Sequence, residues 1–296
     1  MTQLLQGLSP QVQAEVQHYL QTGDYEVGFP GWPGQGFLEV HTKADETLRS
    51  ALIEKVMTLS RSAKVEFSMG PEDLIAMTRR KVEPMVRALF PTSEQDLVLA
   101  TLERSVVFLT PQNIESVLRE VPWLGTAWSL ANLYLGSLGA ELLSAQAVPI
   151  LGLSQETTCF VSIAYFDEAD RCADYVVHEA AHIFHNCKRS TIGLTETRRR
   201  EFLLEIDFRK RETFAYACEA YSQIVARCKT RSQRLEVLAQ HAVGNFPGEE
   251  QGVDRQAYLA ILTRAVEARN GWKLILEGCA PAKARRPNVS QLMAQD

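Results

Sequence analysis

The strongest constraint on this chain is a five-residue string, His178-Glu179-Ala180-Ala181-His182. Two histidines four positions apart share a face only in an α-helix, where moving either by one residue turns it about 100° away. The flanking residues fit that geometry. Val176, Val177, Ile183 and Phe184 are apolar, and together they predict a helix over 174–186. On such a helix both imidazoles can reach one ion. Neutral imidazole nitrogen is a natural zinc ligand. Glu179, next to the first histidine, can touch a metal-activated water without ligating the ion and take its proton. The chain has six histidines, and a third in this neighbourhood, His185, lies one turn beyond His182.

Around this helix the pattern is predominantly helical. Ser9-Pro10 reads as a cap and first helical residue, predicting a helix over 10–21. The Gly- and Pro-rich stretch 28–37 reads as a loop packed down by Phe29, Trp32 and Phe37. Further helices are expected over 45–60, over 71–89 with an interruption near Pro84, over 93–109, and from Thr110-Pro111 to about 121. The uncharged stretch 121–140 reads as a buried helix rather than a membrane span, diluted by Pro122, Asn132 and hydroxyl residues. Near residue 147 the texture changes. Residues 147–153 and 157–166 are rich in β-branched and aromatic side chains and predict strands, with turn chemistry at 167–170. One or two helices over 197–224, another over 253–268 and a frayed C-terminal tail complete the reading. The fold class expected is α+β: a helical region over 1–140, then a region over 141–296 with a small β-sheet and the His-Glu helix.

An H-E-x-x-H helix that follows a strand resembles the zincin metallopeptidases, in which an edge strand lies alongside the substrate. The resemblance covers about 148–224. The metzincin continuation fails, because His185 and Lys188 stand where a glycine and a histidine belong. The chain is more similar to the gluzincin branch, whose third ligand is a glutamate on a later helix. That resemblance implies one zinc ion per chain, held by His178, His182 and a glutamate, with Glu179 as general base and then acid to the leaving amine. The candidate glutamates are Glu201, Glu205, Glu212 and Glu219. Glu212 is favoured because it opens a stretch containing Phe214, Ala215 and Ala217, at a position that points inward. Glu219, seven residues on and nearly on the same face, is its rival, as a ligand or as the acceptor for a ligand histidine. Tyr216 stands where the gluzincin pattern has an aspartate. Tyr216, Tyr221 and His241 are the candidates to stabilise an oxyanion, against packing roles for the tyrosines and a loop position for His241. His185 could join a metal site or donate to a ligand, but it reads first as a helix-end histidine that is solvated or interacts with the helix dipole.

The function implied is a zinc-dependent hydrolysis of peptide bonds in a protein or peptide, on a narrow intracellular target, with the helical region 1–140 available to a regulatory partner. Two other classes are weighed. One is a zincin-like binding or sensing module without catalysis. The other is a di-iron carboxylate oxidase, because Glu15-x-x-His18 and Glu179-x-x-His182 form two E-x-x-H pairs. The net charge of −5 and the absence of nucleic-acid motifs speak against nucleic acid as a partner. The basic runs 198–200 and 209–211 are interleaved with Glu196, Glu201, Glu205 and Asp207 and read by default as solvated ion-pair surfaces, with an electropositive rim for an acidic substrate as the alternative. Six cysteines without a C-x-x-C pair, and a first segment with no basic or continuous apolar run, suggest reduced thiols and a cytoplasmic, non-membrane protein.

Overall fold

The computed structural model describes residues 7–61, 63, 67, 69–147, 152–155, 157–167, 173–198, 200–244 and 247–281. The chain is α+β and mostly helical, with one three-stranded sheet among the described residues. It forms two compact units that interleave in sequence. The first contains residues 1–80 and 102–171, the second 81–101 and 172–296, so the division does not fall at a single cut near 140.

In the first unit, helix α1 (Pro10–Thr22) starts as its cap residues dictate, with the Ser9 side chain accepting from the Val12 amide. Helix α2 (Phe37–Ser60) begins eight residues before the expected 45. Its Leu48, Leu52 and Val56 lie at 0% exposure in one core with Tyr19, Leu130 and Leu135. The buried Arg49 guanidinium donates to the carbonyls of Leu118 and Val121 and pairs with Asp45, so its charge is met on several sides. Helix α3 (Pro71–Leu89) carries the chain from the first unit to the second and helix α4 (Thr92–Ser105) returns it. Pro84 lies inside α3 without ending it, contrary to the expected interruption. Val82, Met85 and Val86, all at 0% exposure, hold the turns on either side of it.

The expected helix over 93–109 is corrected: its last four residues form strand β1 (Val106–Leu109). A Val-Val-Phe-Leu run is good strand material, and its partner comes from much later in the chain. Helices α5 (Ile114–Glu120) and α6 (Leu124–Ser137) follow. The uncharged stretch is thus a buried helix, and no described helix is long and apolar enough to cross a membrane. Strand β2 (Gly152–Gln155) pairs antiparallel with β3 (Thr158–Ser162), and β3 pairs parallel with β1, giving the order β1-β3-β2. A 3-10 turn over Ile163–Asp167 takes the rest of the expected second strand. Most of the expected first strand, the turn after 167 and the C-terminal tail lie outside the described residues.

The second unit is helical. It contains α7 (Tyr175–Asn186), α8 (Arg211–Arg227), α9 (Arg231–Val243), α10 (Arg255–Glu267) and α11 (Gly271–Cys279). The described residues of 197–210 are mostly irregular, and only the later part of the expected 197–224 span is an α-helix. His241, expected in a loop, sits in the last turn of α9. Burying a ring such as Phe184 or Phe214, each at 0% exposure, contributes about 2–3 kcal/mol. Gly271 marks a close approach: a Cβ there would stand 2.4 Å from the Ala265 carbonyl oxygen and from Cζ of Tyr221. The five described cysteines are free and buried.

Candidate metal centre

Two polar rows face each other between α7 and α8. On the α7 side they are Asp174, His178, His182 and His185, spaced four, four and three. On α8 they are Glu212, Tyr216, Glu219 and Gln223, spaced four, three and four. Each row is one helix face. The apposition is helped by small residues on both helices, Ala180 and Ala181 on one and Ala215, Ala217 and Ala220 on the other, all buried.

Where the rows meet, one nitrogen of His178, one of His182 and a carboxylate oxygen of Glu212 lie within 4.8 Å of one another. The Nε2 atoms of the two histidines are 3.2 Å apart. Glu212 Oε2 is 3.8 Å from Nε2 of His178 and 3.6 Å from Nε2 of His182. Donors on a tetrahedral zinc with bonds of about 2.05 Å sit about 3.3 Å from each other. The observed spacings are therefore close to those of a metal-ligand set before small adjustment. The two histidine side chains are 10% and 11% exposed and that of Glu212 is 43% exposed, so the cluster opens on the Glu212 side.

The outer hydrogen bonds fix which nitrogen of each neutral ring is left for the cluster. Glu219 Oε2 lies 2.9 Å from His178 Nδ1. An ionised carboxylate only accepts, so His178 donates from Nδ1 and leaves the Nε2 lone pair for the cluster. His182 Nδ1 is 3.0 Å from His185 Nε2, and His185 Nδ1 is 3.0 Å from Asn186 Oδ1. A neutral His185 that donates to Asn186 has a bare Nε2. His182 therefore donates from Nδ1 and also presents a bare Nε2. This corrects the sequence reading of His185, which is 3% exposed and orients a candidate ligand instead of facing water.

Behind His178 the network continues. Glu219 Oε1 accepts from the Asp174 amide at 2.8 Å, so one carboxylate holds both the first turn of α7 and its first candidate ligand. Asp174 caps α7 by accepting from the Val177 amide, and its other oxygen accepts from Lys81 and Gln223, each at 2.8 Å. Lys81 lies 93 residues from Asp174, and nothing in the sequence pointed to it. Gln223 had a signal, since it continues the α8 row one turn past Glu219.

The electrostatics follow from this geometry. Burial drives the His178 pKa down, but the hydrogen bond and charge of Glu219 outweigh it and the net shift is upward. His182 is pushed down to about 2 by burial and by the positive charges of His178, His185 and Arg211. His185 falls to about 4, chiefly through burial and then Arg211. Burial raises the Glu212 pKa, with His178 pulling the other way. Tyr216 stands edge-on to the His178 ring at 4.4 Å between centroids. Burial and the charges of Glu219, Glu212 and Glu179 raise its phenol to about 12, so it keeps its proton at neutral pH. Glu179 is buried at 8% exposure, and its charge acts on both His178 and Tyr216.

The remaining candidates are engaged elsewhere. Glu201 pairs with Lys188, and Glu205 accepts from the amides of Glu201 and Phe202. The Tyr221 hydroxyl accepts from the Gly271 amide, and its ring meets Trp272 edge-on. His241 lies 2.8 Å from the Tyr258 hydroxyl. Glu15 accepts from the Glu26 amide, and with His18 it belongs to α1 in the first unit, outside the His178–His182–Glu212 group. No known protein family, curated protein or solved structure matches this chain.

Proposed function

We propose that this protein is a zinc-dependent hydrolase of peptide bonds, with His178, His182 and Glu212 as the metal ligands. The observation that carries this reading is the convergence of two imidazole Nε2 atoms and a carboxylate oxygen, at spacings close to those of a ligand set. Two lone pairs 3.2 Å apart repel unless a proton or a cation lies between them. Zinc bound there supplies a Lewis acid that polarises a carbonyl and lowers the pKa of water. Glu179 takes a proton from the attacking water and delivers it to the leaving amine. Glu219 and His185 hold the two imidazoles in the required tautomers. Tyr216, protonated, offers an O–H to the oxygen that gains negative charge.

The test begins with metal analysis of the purified protein, which should give one zinc per chain. Cleavage in a whole-cell lysate is then compared between the unaltered protein and Glu179→Gln. Products should vanish in the variant, with zinc content unchanged and a rate loss of about a hundred- to ten-thousand-fold. Zinc that survives His178→Ala and His182→Ala together refutes the assignment.

A further inference from the structure

Among the described residues the two buried guanidinium groups, of Arg49 and Arg189, are matched by acceptors. Arg49 has its carbonyls and Asp45, and Arg189 pairs with both oxygens of Glu94 and donates to the Thr195 carbonyl. Arg211 differs. It is the first residue of α8, immediately before Glu212, and is half-buried. Among the described residues its side chain has no ion pair and no hydrogen bond, and its Nε is buried without an acceptor. Its guanidinium carbon lies 4.9 Å from the centroid of Phe208, a ring that is 76% exposed.

A cation removed partly from water without an acidic partner is costly unless something completes it. The Nε has no surface open to a ligand, but the terminal pair of N–H groups of a half-buried guanidinium fits a carboxylate end-on through two parallel bonds. The neighbouring Glu212 favours a single negative charge over a doubly charged group. The exposed Phe208 ring adds an apolar face beside the charge.

We infer that Arg211 is the specificity residue of this site and selects substrates that carry a carboxylate near the scissile bond, either an acidic side chain or a free C-terminus. The scissile bond rests on the hydrolase reading above; the capture of a carboxylate does not.

Three probes separate these ideas: a blocked hexa-alanine amide, the same peptide with a central aspartate, and the same peptide with a free C-terminal carboxylate. They are titrated calorimetrically into the full-length protein bearing Glu179→Gln, zinc-loaded so that the peptides stay intact, and again into metal-free protein. At least one carboxylate peptide should bind about ten-fold more tightly than the neutral one. Which one it is identifies the source of the carboxylate. Adding Arg211→Gln should erase that preference without changing zinc content or the affinity for the neutral peptide, and Arg211→Lys should keep part of it. Equal behaviour of the three probes, including no binding by any, overturns the inference, as does a carboxylate preference that survives Arg211→Gln. Should Arg211→Gln fold poorly, raising the salt concentration with Arg211 intact must weaken the carboxylate peptide selectively. A carboxylate preference without cleavage of any peptide by the unaltered protein would sink the hydrolase reading and leave Arg211 standing.

Discussion

Glu219→Gln removes one charge and almost no volume, yet the geometry around this side chain makes it a severe change. Both groups facing Glu219 are donors: the Asp174 amide on Oε1 at 2.8 Å, and His178 Nδ1 on Oε2 at 2.9 Å. A carboxylate has an oxygen for each; a carboxamide has only one. If the amide oxygen stays on the Asp174 N–H, the amide NH2 confronts His178 Nδ1. The ring then satisfies it only by moving its own proton to Nε2, the atom that should face the metal. If the oxygen turns to His178, the buried Asp174 N–H at the start of α7 loses its acceptor. Either way one buried donor or one tautomer is lost, at about 1–3 kcal/mol.

Zinc affinity should fall about ten- to a hundred-fold, which is about 1.4–2.7 kcal/mol. Competition with a chromophoric chelator near neutral pH reads this directly, with Glu212→Ala run in parallel. Glu212→Ala takes away a ligand and should weaken binding more than Glu219→Gln does. An affinity within about two-fold of the unaltered protein for Glu219→Gln would refute the tautomer argument. The reverse order, with Glu219→Gln the more damaging, would make Glu219 the ligand and Glu212 its neighbour.

Three further outcomes follow from the same contacts. His185→Phe removes the acceptor of the His182 Nδ1–H, and zinc affinity in the chelator competition should drop about ten-fold; no change would mean that His182 needs no orientation. The metal-free protein should lose stability on acidification. The folded-state pKa values of His182 and His185, about 2 and about 4, lie below their ordinary 6.5, so the unfolded chain binds more protons below that pH. His178 is shifted upward and is charged in both states there, while Glu212, also raised, offsets at most one proton. Urea unfolding with chelator present should therefore show a loss of about 1–3 kcal/mol between about pH 6 and about pH 5, and a flat profile would contradict the burial of these rings. Gly271→Ala drives a methyl group to 2.4 Å from the Ala265 carbonyl and the Tyr221 ring, and should cost about 1–3 kcal/mol in the same assay.

What could be read from the sequence is what the backbone repeat alone determines. His178, Glu179 and His182 are arranged by the helical period, which needs no tertiary partner. The α8 row, Glu212 to Gln223, is set by the same period, and that is why Glu212 and Glu219 stood out from Glu201 and Glu205. The period could not decide which of the two faces His178 Nδ1, because that depends on the axial offset between α7 and α8. For His185 the period correctly gave a shared face with His182, but exposure was misjudged because burial comes from packing. Strand β1 was hidden for the same reason. Val106–Leu109 continues the apolar pattern of α4, and only pairing with Cys159–Ser162, some fifty residues later, makes it a strand.

Charge balance gives a separate argument about the ion. Around the seam between α7 and α8 lie four carboxylates, Asp174, Glu179, Glu212 and Glu219, and two permanent cations, Lys81 and Arg211. The formal excess is therefore two negative charges in a largely buried environment, where uncompensated charge is expensive. In the metal-free protein His178 retains a proton more readily than usual, which supplies one positive charge at the point where the ligand atoms converge. A monovalent ion in place of that proton leaves the same deficit. A divalent ion held by neutral His178 and His182 removes it. The raised His178 pKa and the affinity for a divalent metal thus have one origin, so a change that neutralises one carboxylate of the seam should weaken both together.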